Sequence, residues 1–122
     1  MLAKDVMSTE VEMLNENSTL ADAVSKLLTN EISGMPVVDA QGRLIGVISE
    51  KDIFDMAFSG KLHETKAVEA MTREVVSFPP ETDIRIIAKA LSEKNYRRVP
   101  IINSSGLVVG IVSRRDILKV AF

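Results

Sequence analysis

Gly46-Val47-Ile48-Ser49-Glu50-Lys51-Asp52-Ile53 returns 64 residues later as Gly110-Ile111-Val112-Ser113-Arg114-Arg115-Asp116-Ile117. Each copy reads as an apolar strand that stops at Ser and turns into a helix. Carried outward, the same shift aligns residues 7–58 with 71–122 without a gap. Twelve of these 52 positions are identical, among them Met7/Met71, Val11/Val75, Leu27/Leu91, Pro36/Pro100, Gly42/Gly106 and Phe58/Phe122. Chance would supply roughly three at ordinary residue frequencies. The chain is a duplication, and one unit has to be read twice.

Within a copy, a short extended piece at 11–14 (75–78) leads through polar residues to Ser18 (Thr82), each read as a helix N-cap. The stripe Leu20, Ala23, Val24, Leu27, Leu28 then predicts a helix with one buried face, and Ile84, Ile87, Ala88, Leu91 repeat it. Next comes a hairpin, Met35–Val38 and Leu44–Ile48, joined by Asp39-Ala40-Gln41-Gly42; the second copy has Val99–Ile102, Asn103-Ser104-Ser105-Gly106 and Val108–Val112. Asp or Asn at the start of such a loop and Gly at its end fit a type I turn closed by a left-handed Gly. The last helix is expected to turn Ile53, Phe54 and Ala57 inward, as Ile117, Leu118 and Ala121 in the second copy. The order is β-α-β-β-α twice, an α/β (α+β) fold with one motif over 1–60 and the other over 61–122. Residues 59–70 link the copies and regain helix near 67–71, and a similar lead-in, 3–7, precedes the first copy.

Composition narrows the function. The chain has 122 residues, 46% of them apolar and only 4% aromatic, and no Cys. Disulfides, thiolate metal sites and a Cys nucleophile are excluded. No stretch approaches the roughly 20 apolar residues that span a bilayer, and no secretory leader is visible, so a cytoplasmic protein without membrane contact is expected. The net charge of −2 hides an asymmetry: residues 1–64 carry 5 Lys/Arg against 11 Asp/Glu, and residues 65–122 carry 10 against 6. A local basic excess of this kind points to a small anion rather than to nucleic acid, which calls for a broad basic face.

The strand-to-helix junctions are where chemistry could sit. A helix start exposes unpaired N–H groups to an anion, the hydroxyl of Ser49 or Ser113 can add a hydrogen bond, and Asp52 or Asp116 can accept from the vicinal hydroxyls of a ribose. Ser followed three residues later by Asp is equally a variant of the capping box, which satisfies the helix start with no ligand at all. Gly46 and Gly110 lie within strands, where a missing side chain marks the approach of another backbone or a ligand. Arg97 and Arg98 stand just before a strand of the second copy, where the first has Ser33 and Gly34. Arg114 and Arg115 likewise replace Glu50 and Lys51. Planar guanidinium forks suit phosphates, although arginines at a helix C-terminus also complement its dipole. The residue before each of Pro36 and Pro100 is held extended, so its backbone could meet the edge of a flat base. No catalytic arrangement emerges: His63 is the only His and lies in the linker, and there is neither a phosphate-binding Gly loop nor a zinc motif.

These motifs, in this order and twice over, resemble the cystathionine-β-synthase (CBS) domain, which occurs in tandem pairs called Bateman modules. The resemblance covers essentially the whole chain and rests on the β-α-β-β-α order, the Pro-Val-Val and Pro-Ile-Ile strand entries, the Asp/Asn-x-x-Gly hairpins and the two Gly-x-x-Ser-x-x-Asp segments. It implies two copies about a pseudo-two-fold axis, with clefts between them that take AMP, ADP, ATP or S-adenosylmethionine, and pairs that join into a disk-like homodimer. On that pattern Asp52 and Asp116 bind ribose hydroxyls, and Ser49 and Ser113 lie near ribose or phosphate. Met35 and Val99, before the prolines, offer backbone to adenine, and Val11 and Val75 help to wall it. Phosphates at Asp52 would face Arg97, Arg98 and Arg115, and those at Asp116 would face Ser33 and Lys51, a weaker anion hole, so the sites are expected to be unequal, with the Asp52 site preferring more phosphates.

The function expected is a non-catalytic regulatory module that senses energy or metabolite state through an adenosine-containing ligand, with no cofactor or metal required and with an effector protein as a further partner. The alternative is a structural dimerisation module that binds no ligand.

Overall fold

Both repeats are built on their hairpins. In the computed structural model, which describes residues 1–122, β2 (Gly34–Val38) runs antiparallel to β3 (Leu44–Ser49), and β4 (Arg98–Ile102) to β5 (Val108–Ser113). The registers match residue for residue: Gly34 faces Ser49 and Met35 faces Ile48, as Arg98 faces Ser113 and Val99 faces Val112. Asp39 Oδ1 accepts from the amides of Gln41 and Arg43, and Asn103 Oδ1 from those of Ser105 and Leu107. Gly42 and Gly106 close the turns at φ 87° and 81°, the left-handed geometry expected of them. A parallel strand, β1 (Leu14–Asn15), flanks Val37–Val38. In the second repeat it shrinks to the single bridge Phe78–Ile101. The strands expected to start at Val11 and Val75 therefore start three residues later, where Leu14 and Phe78 first reach the hairpin.

The chain divides into two units, Glu12–Val75 and Met1–Val11 together with Val76–Phe122. These bounds do not follow the repeats: the lead-in to each copy belongs to the unit built on the other copy's hairpin. Helix α4 (Ala67–Ala70) and Thr72 serve the first unit, and the short helix α1 (Ala3–Val6) and Ser8 serve the second. Thr72 exchanges both backbone hydrogen bonds with Val47 at 2.9 Å; Ser8 does the same with Ile111 at 2.9 and 3.0 Å. Because Val47 turns its N–H and C=O towards Thr72, Pro36 opposite it falls in a non-hydrogen-bonded pair, where a missing N–H leaves no gap in the ladder. The same holds for Pro100 and Ile111.

Helices α2 (Leu20–Asn30) and α5 (Ile84–Glu93) cover the hairpins. Their caps are Thr19 and Asp83, one residue beyond the expected Ser18 and Thr82. Thr19 forms a full capping box with Asp22, while the Ser18 hydroxyl is taken by the amide of Asn15. Leu20, Ala23 and Leu27 enter the core with Met35, Val37 and Ile48; Ile87 and Leu91 do so with Val99, Ile101 and Val112. Leu28 does not, being 74% exposed. The final helices, α3 (Glu50–Phe54) and α6 (Arg114–Ala121), also depart from expectation. Ile53 is buried and Ile117 half-buried, but Phe54 is 76% and Leu118 66% exposed, and Ala57 and Ala121 are exposed as well. One narrow stripe of each helix meets its unit, and the remaining apolar side chains face outward. No helix is long and apolar enough to cross a membrane.

The strand glycines mark the approach of a neighbouring segment. A Cβ at Gly46 would stand 2.9 Å from Met71 Cγ and 2.9 Å from the backbone oxygen of Thr72; at Gly110 the three nearest atoms would all belong to the side chain of Met7, with Cγ at 2.8 Å. A methionine side chain can swing aside, whereas a paired backbone oxygen cannot. Gly46→Ala is therefore expected to cost about 1–3 kcal/mol and Gly110→Ala clearly less, as read from urea denaturation midpoints of the two variants.

Candidate functional site

Each outer strand ends on a serine that caps the following helix. Ser49 Oγ accepts from the amide of Asp52 at 3.3 Å, and Asp52 Oδ2 accepts from the Ser49 amide at 2.9 Å and from its hydroxyl at 3.0 Å. Ser113 and Asp116 repeat this at 3.2, 2.8 and 2.9 Å. The amide of the first helical residue is also used, Glu50 donating to the Ser33 carbonyl and Arg114 to that of Arg97, both at 3.0 Å. The capping-box reading is thus fulfilled in both copies. What remains free in the first turn is the amide of Lys51 or Arg115, together with whatever capacity the Asp carboxylates retain.

That capacity differs between the copies. Thr72 donates its hydroxyl to Asp52 Oδ1 at 3.1 Å. Ser8 is the repeat equivalent of Thr72 and pairs with Ile111 in the same way, yet its hydroxyl makes no hydrogen bond, and Asp116 Oδ1 is left open. The sequence reading did not include Thr72. Its only signal was a hydroxyl residue directly after each of the repeated Met7 and Met71.

The four arginines stand at one strand end but do not act alike. Arg114 is a structural clamp: its Nε donates to the Tyr96 carbonyl at 2.8 Å and its Nη2 to the Leu91 carbonyl and Asn95 Oδ1 at 3.2 Å, so it ties down the C-terminal end of α5. Arg97 and Arg115 are exposed, as is Lys51. Arg98 is different. It is half-buried beside Ser113 across the ladder, and its Nε is buried with no hydrogen-bond partner. Burial lowers its pKa and the neighbouring Arg97 adds to this, while the Asp116 carboxylate works the other way. The charge of Arg98 therefore belongs to the surroundings of Asp116, within one unit. Gly34 holds the corresponding place in the first repeat, so the first unit supplies no cation of its own at that position.

Of the remaining expected residues, Met35, Pro36, Val99 and Pro100 are buried in the strands, with Met35 facing Ile48 and Val99 facing Val112. Val11 and Val75 are half-buried in the loops where the chain passes from one unit to the other. Of the candidate residues only Arg114 lines the groove of about 460 Å³ between α5 and α6, which is walled otherwise by Ala88, Leu91, Ser92, Asn95, Ile117 and Leu118.

The repeats, their caps and their hairpins define a tandem module, and comparison with known proteins identifies its family. The CBS domain matches residues 3–58 and again 66–122, and the chain belongs to the CBS-domain family as a tandem pair. The CBS domain pair of protein MJ0100, solved in complex with 5′-methylthioadenosine and S-adenosyl-L-methionine, is 29% identical and superposes with a TM-score of 0.84 over 100% of both chains. The CBS domain-containing protein YhcV of Bacillus subtilis is 31% identical over 115 residues, covering 93% of this chain and 81% of that protein. The uncharacterized protein MJ1225 of Methanocaldococcus jannaschii is 29% identical over 117 residues; the chain spans 41% of its length.

The division of labour among the arginines can be measured. Arg114→Ala should lower stability by about 1–2 kcal/mol through lost charge-assisted hydrogen bonds. Arg115→Ala should stay within about 0.5 kcal/mol of the parent, both as read by chemical denaturation.

Proposed function

We propose that this CBS pair is a non-catalytic regulatory module that binds an adenosine-containing ligand, the ribose hydroxyls donating to Asp116 and Asp52 with Ser113 and Ser49 beside them. The observation that carries this reading is the junction at Asp116. An open carboxylate oxygen, a free amide at Arg115 and the half-buried Arg98 with its unpartnered Nε lie around one strand end. A diol needs an acceptor, and a phosphate needs a cation and N–H donors. The likeness to the MJ0100 pair, solved with 5′-methylthioadenosine and S-adenosyl-L-methionine, supports the adenosine part of the ligand. The placement of Arg98 favours Asp116, rather than Asp52, as the partner of the Arg97–Arg98 pair, so the phosphorylated ligands AMP, ADP and ATP are assigned to that junction.

We also propose that the module works as a homodimer in the cytoplasm and passes its ligand state to an effector protein. Helix α6 has an apolar face and no buried residue, and Leu28, Phe54, Phe58 and Leu118 are exposed. A second copy of the chain would cover such faces.

A structural dimerisation module is the competing reading, favoured by the capping boxes, which are complete without a ligand. Thermal unfolding separates the two. A ligand at 100 times its dissociation constant adds about 2.7 kcal/mol, whereas no shift with millimolar AMP, ADP, ATP, 5′-methylthioadenosine or S-adenosylmethionine leaves the structural role. Arg98→Ala should weaken AMP binding by about ten-fold. It should leave 5′-methylthioadenosine, which has no phosphate, within two-fold, as measured by isothermal titration.

A further inference from the structure

We infer that Thr72 is a specificity-determining residue that makes the two ribose acceptors unequal, so that the Asp116 junction fills before the Asp52 junction. This rests on the adenosine-binding reading above. A carboxylate offers about four lone-pair sites. Asp116 spends two, both on Oδ2, on the amide and hydroxyl of Ser113, and keeps Oδ1 open. Asp52 makes the same two bonds to Ser49 and then accepts a third, at Oδ1, from the Thr72 hydroxyl. A vicinal diol brings two donors. At Asp116 both find an acceptor without disturbing the protein, while at Asp52 one of them must displace Thr72.

The difference does not come from the backbone. Thr72 and Ser8 are held by the same pair of main-chain hydrogen bonds to Val47 and Ile111, and the methionine before each lies over the strand glycine. Two equivalent positions therefore carry a hydroxyl, and only the threonine delivers it to the carboxylate. Thr72 is exposed, so a ligand hydroxyl can reach the bond it makes.

5′-Methylthioadenosine is the suitable probe, because it carries no phosphate and its affinity is not weighted by Arg98. Isothermal titration of the whole chain should show a tighter and a weaker site. Asp116→Asn should remove the tighter one. In that background Thr72→Val, which keeps the shape and the backbone pairing, should tighten the remaining site by about five-fold, the worth of one net hydrogen bond. Ser8→Ala in the parent should leave the tighter site unaltered. Binding that Thr72→Val weakens, or changes by less than two-fold, overturns the role of Thr72 and leaves the adenosine-binding reading standing. Absence of any binding by the parent protein, with 5′-methylthioadenosine and with AMP, overturns both.

Discussion

The backbone pairs that Thr72 makes with Val47 and Ser8 makes with Ile111 hold each unit closed. A two- or three-stranded sheet with one helix cannot bury both of its faces, and its outer strand presents unpaired N–H and C=O groups. Here the segment that precedes one repeat covers the outer strand of the other. It brings a buried alanine, Ala67 or Ala3, and a methionine that fills the space left by the strand glycine. The glycines, the prolines opposite them and the lead-in helices all follow from this arrangement. Glycine admits the segment, and proline sits where the strand's hydrogen bonds have been turned towards it.

The same arrangement sets the candidate site. The outer strand ends on Ser49 or Ser113, and the cap it forms holds the Asp carboxylate against the strand end, close to the segment that closes the sheet. A cap of this kind would complete the helix start in any protein, and it leaves part of a carboxylate for other work. Differences in function between the copies can then arise from single side chains at fixed positions: Arg98 where the other copy has Gly34, and Thr72 where the other has Ser8. The four arginines of the second repeat differ likewise: Arg98 is half-buried, Arg114 holds a helix end, and Arg97 and Arg115 are exposed.

Much of this was legible because a duplicated sequence is read twice. The hairpins, the closing glycines and the Ser-x-x-Asp helix starts depend on local rules and appear where the residues place them. The misplaced caps were choices between adjacent polar residues, Ser18 or Thr19 and Thr82 or Asp83, and the choice is made by which one the first helical turn can reach. Phe54, Leu118 and Leu28 were read as inward because periodicity reports an apolar stripe without saying what covers it. The role of Arg114 depends on carbonyls some twenty residues away, and the bond from Thr72 to Asp52 spans a similar distance. Neither leaves a mark in local spacing, and only the folded chain reveals them.

The placement of residues 1–11 has a consequence for how the chain is made. Their partners are Pro80, Thr82, Asp83, Ile84 and Ile111, so during synthesis these residues wait through roughly a hundred more before their last partner appears. The unit at Glu12–Val75 has no such delay, since every segment it needs is continuous in the chain. During synthesis it can close first, while α1 and Ser8 stay without their partners. Until Ile111 emerges, the backbone N–H and C=O of Ser8 stay unpaired and open to wrong pairing.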